Sequence, residues 1–280
     1  MIRVVSAIAV SVFFMSSMFF LTSMAQAQTA AEQDEANIAD LITASHILAN
    51  EGVLDSFGHA SVRSVQNPAH LFMPRAKAPA LLTRADIFEL DSATCEAVGN
   101  SGVKLMSERY IHCEVYKARP EVKSVIHTHD PAVLPFGLST VPLQPVLAQS
   151  GFLPPKAPVF DVRDVDTEPK GMLINTAALG AALAAKLADN PVVLMRGHGD
   201  TVVGVSVKEA TVFAIYTDLD ARAQASAMAL GGGVIVLNDK ERAAYSSEQR
   251  PDRPWDNFLH HLPSSDPALA AANKSASNPK

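Results

Sequence analysis

The 280-residue sequence has no run of basic residues: its 23 Lys and Arg are outnumbered by 29 Asp and Glu, for a formal net charge of -6. A nucleic-acid binder needs a basic face to offset phosphate charge, so that class is excluded. Cysteine is almost absent too. Cys95 and Cys113 stand alone and outside any CxxC spacing, which removes a dithiol redox motif and a cysteine-based zinc motif. They can form one bridge in an oxidising compartment or remain two buried thiols, because the outcome depends on a Cα separation that sequence does not fix. No internal repeat is present.

What the chain does have is apolar mass: 48% of residues are hydrophobic and 19% charged. That suits one large domain or two small ones with a sizeable core. The first residues differ from the rest. Arg3 supplies a positive start, Val4 to Leu21 is nearly uncharged, and Ala25-Gln26-Ala27 has the small-x-small pattern read by signal peptidase. This predicts a signal peptide over residues 1–27, cleavage after Ala27, and a soluble protein exported to the periplasm or beyond. An uncleaved N-terminal membrane anchor is the alternative, since the apolar stretch approaches the ~20 residues that span a bilayer.

Beyond it, Ile38, Leu41, Ile42 and Leu48 recur at helical spacing over Gln33 to Glu51, with Gly52 as a C-cap. Short strand-like runs follow at Ala60–Arg63, Leu71–Met73 and Ile87–Leu90. A helix is expected over Met106 to Ala118, stopped by Pro120, then a strand over Lys123 to Thr128. Asp130-Pro131 reads as an N-cap followed by proline in the first turn. Pro142 to Val165 is proline-rich and expected to be irregular. Asn175 is placed to cap an Ala-rich helix to Leu187, strands are expected at Pro191–Met195 and Thr201–Val205, and Ser206 to Glu209 is a capping box opening a helix to about Leu230. Strands separated by helices imply one α/β domain over residues 33–262. The Ser, Ala, Asn and Pro of residues 263–280 predict a disordered tail.

The chemistry begins at Ser124-Val125-Ile126-His127-Thr128-His129-Asp130. Side chains alternate along a strand, so His127 and His129 share a face and can grip one divalent ion. The plain alternative is a pair of polar strand-end histidines. Met195-Arg196-Gly197-His198-Gly199 adds an imidazole flanked by glycines at the end of an apolar run, the third nitrogen of a catalytic zinc site. Glu108, on the helix before the H-x-H strand, can be a fourth ligand or leave the metal and act as acid or base; its plain alternative is a solvated glutamate. His112, four residues on, would share its helix face and support it.

In this order, Glu108, then His127-Thr128-His129, then Gly197-His198-Gly199, the sequence resembles the class II aldolase/adducin family over about Ala36 to Leu262. Its specific stretches are Arg119 to His129 and Arg196 to Gly204. The resemblance implies a layered α/β/α fold with a largely antiparallel central sheet and a homotetramer. It also implies a divalent metal, zinc with manganese, cobalt or iron as alternatives, held by His127, His129 and His198, with Glu108 as ligand and acid/base. Sugar-phosphate members carry an Asn after the first-strand glycine, a Thr-Pro-Ser-Gly turn and Ser-Ser before the glutamate. This chain has Gly58-His59, Met73-Pro74-Arg75-Ala76-Lys77 and Met106-Ser107 instead.

Cationic side chains therefore stand where a phosphate cradle would be, and an Arg fork suits a carboxylate. Phe57 to Arg63, Glu108 to His112, Phe160 to Asp164 and Leu194 to Gly199 are similar to the 2-hydroxy-3-carboxymuconic semialdehyde decarboxylase branch. The expectation is a metal-dependent lyase that decarboxylates a small β-keto or semialdehyde acid through a stabilised enolate. Glu108 and His112 are expected to be catalytic, and His59, Ser61, Arg75, Lys77 and Ser107 to bind substrate. Arg75 and Lys77 as a solvated loop pair is the plain alternative. An aldolase for an unphosphorylated carbonyl compound and a non-catalytic adducin-like module are the rival functions.

Overall fold

In the computed structural model, residues 8–99, 102–168, 171–246 and 250–276 are described, the side chains of 8–28, 246 and 272–276 excepted. The chain runs α1 (Ile8–Asn50), β1 (His59–Arg63), β2 (His70–Pro74), β3 (Ile87–Asp91), β4 (Glu96–Ala97), α2 (Arg109–Ala118), β5 (Ser124–Thr128), α3 (Leu134–Leu138), β6 (Val159–Phe160), α4 (Ala177–Leu187), β7 (Val192–Met195), β8 (Gly199–Gly204), α5 (Val207–Ala229), α6 (Asp239–Ser246), α7 (Asp252–His261) and α8 (Pro267–Ala276). The strands form one 8-stranded sheet in the order β4-β3-β2-β1-β5-β8-β7-β6. Every pairing is antiparallel except β6 with β7.

Strand alternation sorts the side chains into two cores. Ala60, Val62, Ile126, Val192, Leu194 and Val202 face α1, α5 and α7, including Ile38, Leu41, Leu48, Ile215 and Trp255. Leu71, Met73, Val125, Val193 and Val203 face α2 and α4. The helices thus cover both faces, the expected α/β/α layering. The small residues of the Ala-rich helix have a purpose: a Cβ on Gly180 would lie 2.4 Å from the Tyr110 carbonyl oxygen, so α4 can cross α2 this closely only with glycine there.

Several boundaries move. Thr176, not Asn175, caps α4 by accepting the Leu179 amide. Ser206 accepts the Glu209 amide, but Glu209 reaches back to the Val205 amide instead of closing the box on Ser206. The proline-rich stretch is mostly irregular but contributes β6, at the edge of the sheet. Cys95 and Cys113 form a disulfide, with Cα atoms 5.9 Å apart.

Within the stretch expected to be a tail, residues 267–276 form α8, Asp266 accepts from His46 Nδ1 at 2.9 Å and Ala268 is buried in the core. Residues 277–280 and most of the expected signal peptide lie outside the described residues, residues 8–27 being described only as helical backbone of α1. Among the described residues no helix is long and apolar enough to cross a membrane.

Candidate metal centre

The register of β1, β5 and β8 brings the polar residues of three strands to one end of the sheet. His59 pairs with His127, and His127 with Thr201. His129 lies just past β5, and the turn from β7 to β8 presents His198. That turn is sterically demanding: Gly199 has φ +151°, and a Cβ there would sit 1.8 Å from the Thr128 carbonyl oxygen. Only glycine lets β8 pair against the H-x-H strand while holding His198 beside it.

Glu108, His127, His129 and His198 each offer a ligand atom, all within 4.8 Å of one another. The tautomers can be argued from what the other ring nitrogens touch. His127 Nδ1 donates to the Asp200 carbonyl oxygen at 2.9 Å, leaving Nε2 as a lone pair. His129 Nδ1 lies 3.1 Å from the Asp55 carboxylate, which orients its Nε2 the same way. Both Nε2 atoms are buried without a hydrogen-bond partner. Buried orphan acceptors are rare and call for an explanation. A divalent cation is one that fits, and three imidazole nitrogens with a carboxylate are a zinc-like donor set.

Glu108 Oε2 lies 3.5 Å from His198 Nε2 and 3.7 Å from His127 Nε2. Its Oε1 accepts the Ile174 amide at 2.8 Å. Burial pushes its carboxyl up, but the His198 contact, the neighbouring imidazoles and the Ile174 amide outweigh this and hold it at about 2. Glu108 is the residue before α2, not within it, and the Ile174 amide holds one oxygen of the carboxylate expected to be ligand and acid/base. Burial is also the first reason that His127 falls to about 3, where its nitrogen is free to coordinate.

The other expected site residues divide. His112 is fully buried and does not face Glu108; its Nε2 meets His59 Nδ1 at 2.7 Å and its Nδ1 meets Ser61 Oγ at 2.6 Å. His112, expected to be catalytic, and Ser61, expected to bind substrate, are both without exposed surface here. Arg75 Nε and Lys77 Nζ, expected to bind substrate or to be a solvated loop pair, donate to the buried Asp86 carboxylate at 2.8 and 2.7 Å. Ser107 is exposed beside Glu108.

Asp55, Ile174 and Asp200 support the cluster without any sequence signal, since Asp55 acts through a side-chain contact between distant segments and Ile174 and Asp200 act through backbone atoms. Asp161, within the noted Phe160–Asp164 stretch, pairs with Arg196 at 2.7 Å and with Arg163 at 2.6 Å, bracing the approach to His198. On the opposite face of the same strand ends, Asp130 and Asp200 are buried near Asp218. Burial first, then mutual repulsion, raises Asp130 to about 8; burial raises Asp200 to about 7 despite the Thr128 hydroxyl donating to it.

A family profile described as the Class II Aldolase and Adducin N-terminal domain matches residues 39–225. Decarboxylase tropJ of Talaromyces stipitatus is 39% identical over 204 residues, covering 69% of this chain and 77% of that protein. The 3,4-dihydroxyphthalate decarboxylase of Terrabacter sp. is 31% identical over 206 residues, covering 72% and 85%. Among solved structures, L-fuculose 1-phosphate aldolase from Glaciozyma antarctica superposes with a TM-score of 0.67 at 21% identity, covering 81% of this chain and 90% of that one, a likeness of fold.

Proposed function

Because the chain belongs to the class II aldolase and adducin family, and is a lyase by that kinship, we propose that it is a divalent-metal-dependent decarboxylase of a small carboxylic acid bearing an oxygen β to the departing carboxylate. The observation that carries this reading is the convergence of Glu108 with two orphaned imidazole nitrogens and His198. When bound there, a cation such as zinc supplies Lewis acidity for the charge that develops as CO2 leaves.

The protein's own groups do the rest. Asp55 and the Asp200 carbonyl fix the ring orientation of His129 and His127. Ile174 fixes Glu108, whose ionised Oε2 faces the cluster and serves as ligand or base rather than as the resting proton donor. Phe57, 72% exposed, stands beside His129, and Leu138 and Met172 meet over Gly197. These apolar groups at the mouth suit an aromatic or unsaturated acid, in keeping with a relative that acts on dihydroxyphthalate. They also suit burial against a second subunit, so we propose a homo-oligomer, with the tetramer as its form. The Cys95–Cys113 disulfide supports an exported, oxidising setting, in which the purified mature chain would begin at Gln28.

Decarboxylation is favoured over aldol cleavage by the two decarboxylase relatives and by Met73-Pro74-Arg75 in place of a phosphate-binding turn. The test is CO2 release by the zinc- or manganese-loaded protein on a panel of β-keto, semialdehyde and hydroxyphthalate-type acids. Turnover of at least one acid is expected, abolished by chelation. Aldehyde release from aldol substrates with no CO2 from any acid would replace this reading with the aldolase one.

A further inference from the structure

Behind the metal ligands runs a buried chain of polar groups that metal binding does not use. Tyr116 Oη lies 2.9 Å from Ser61 Oγ, Ser61 Oγ 2.6 Å from His112 Nδ1, and His112 Nε2 2.7 Å from His59 Nδ1. The four side chains are between 0% and 3% exposed. Beyond the His112 contact at Nδ1, the His59 ring stands 5.2 Å from that of His127.

Such a chain can carry its hydrogens in either direction, and its far end decides which. The Tyr116 hydroxyl has two acceptors in reach, Ser61 Oγ at 2.9 Å and the Lys123 carbonyl at 3.4 Å. Hydrogen bonds between oxygens lie at about 2.5–3.0 Å, so its proton goes to Ser61. Ser61 then has its own single hydrogen left for His112 Nδ1. A neutral His112 must carry its proton on Nε2 and donate it to His59 Nδ1. The proton of His59 is thereby placed on Nε2.

We propose that Tyr116, Ser61 and His112 are positioning residues that lock His59 as an Nε2–H donor beside the metal cluster, where it is no fifth ligand but binds an anionic oxygen of the substrate. An imidazole nitrogen that carries hydrogen has no lone pair to give a cation. It offers a hydrogen bond where charge grows on a substrate carboxylate or enolate oxygen. Two further features support the lock. Burial raises the Tyr116 hydroxyl, keeping it protonated, and Arg63 clamps it by lying over its ring at 4.6 Å and donating to its carbonyl at 2.7 Å. Burial also lowers His112 to about 3, so it is neutral at physiological pH.

The role of His59 toward substrate rests on the decarboxylase reading; its tautomer does not, and the two are tested separately. Long-range 1H–15N imidazole correlations on 15N-labelled full-length protein, with His59 assigned by its absence in His59→Gln, read the tautomer directly. The expected result is hydrogen on Nε2 of His59 both without metal and after zinc loading, while the His127 and His129 Nε2 signals move. Hydrogen on Nδ1, or a zinc-induced shift of His59 Nε2, would overturn the inference whatever the reaction proves to be.

In Tyr116→Phe the end of the chain loses its donor, so His59 should become a tautomer mixture. The kcat/KM for the acid found active should fall roughly tenfold, the worth of one hydrogen bond. An unchanged His59 tautomer would show that the chain does not set it. Ser61→Ala breaks the same chain one link closer and is read in the same way if Tyr116→Phe does not fold.

Discussion

Asp86 shows how a single carboxylate can redirect the residues around it. It is nearly buried, and burial pushes its carboxyl up, but Lys77, Thr83 and Arg75 converge on it and hold it well below the ordinary range. A folded pKa below the unfolded value of about 3.9 stabilises the fold above that pH, and the contribution is lost as pH falls through the folded pKa. Asp86→Asn is therefore expected to cost about 3 kcal/mol at pH 7 in urea unfolding, with the gap to wild type narrowing below about pH 4. A gap constant down to pH 2 would show that Asp86 is not held ionised. The same carboxylate accounts for the charge of Arg75 and Lys77 in sequence. Their type suggested a carboxylate partner, and they have one, but it is Asp86 of the protein itself. The metal ligands were legible because alternation and glycine flanks announce them; Asp55 and Ile174 were not, because an orienting contact between distant segments has no periodicity.

At the scale of elements, helix α8 is held by a contact that composition conceals. His46 directs Nδ1 to Asp266 at 2.9 Å and Nε2 to the Leu82 carbonyl at 3.0 Å, so one ring on α1 ties the C-terminal segment to the turn before β3. His46→Ala should leave the sheet intact and cost about 1–3 kcal/mol for the partners left without a donor. Amide exchange should rise across residues 267–271 while β5 and β8 stay protected; uniform protection would refute the clamp. A low-complexity stretch of Ala, Ser and Pro reads as unstructured because it cannot form a core alone. Here it borrows one, burying Ala268 against the rest of the molecule. Helix α4 is the opposite case, since its run of small residues signals close packing in the sequence itself. Gly180→Ala is expected to cost about 1–3 kcal/mol by forcing α4 away from Tyr110.

For the whole molecule, the metal centre links strands that are distant in sequence. Its ligands come from the residue before α2, from the end of β5 and from the β7–β8 turn, so a bound ion joins three segments of one sheet end. A ligand held only by the folded state at a thousand times its Kd adds about 4 kcal/mol of stability. Dialysis against a chelator should thus lower the melting temperature by several degrees, with zinc restoring it; a melting temperature indifferent to chelation would count against a resident metal. The disulfide ties β4's approach to α2, the helix that Glu108 precedes, and so braces the site from behind.

The sequence by itself determined the ligand types, their order along the chain, the layered α/β class and most strand positions, because period-two alternation, capping residues and glycine-flanked turns are local properties of the chain. Only the tertiary structure decided which polar residues reach the mouth of the site and which are sealed behind it. His112, Ser61, Arg75 and Lys77 have the right chemistry for a substrate. The crossing of α2 over β1 buried His112 and Ser61, and Asp86 paired with Arg75 and Lys77, because each found a partner within the protein that local sequence cannot display. The opening expectation of three histidines and a glutamate stands as geometry, with Glu108 now fixed by a backbone amide, and His59 gained a defined place beside them.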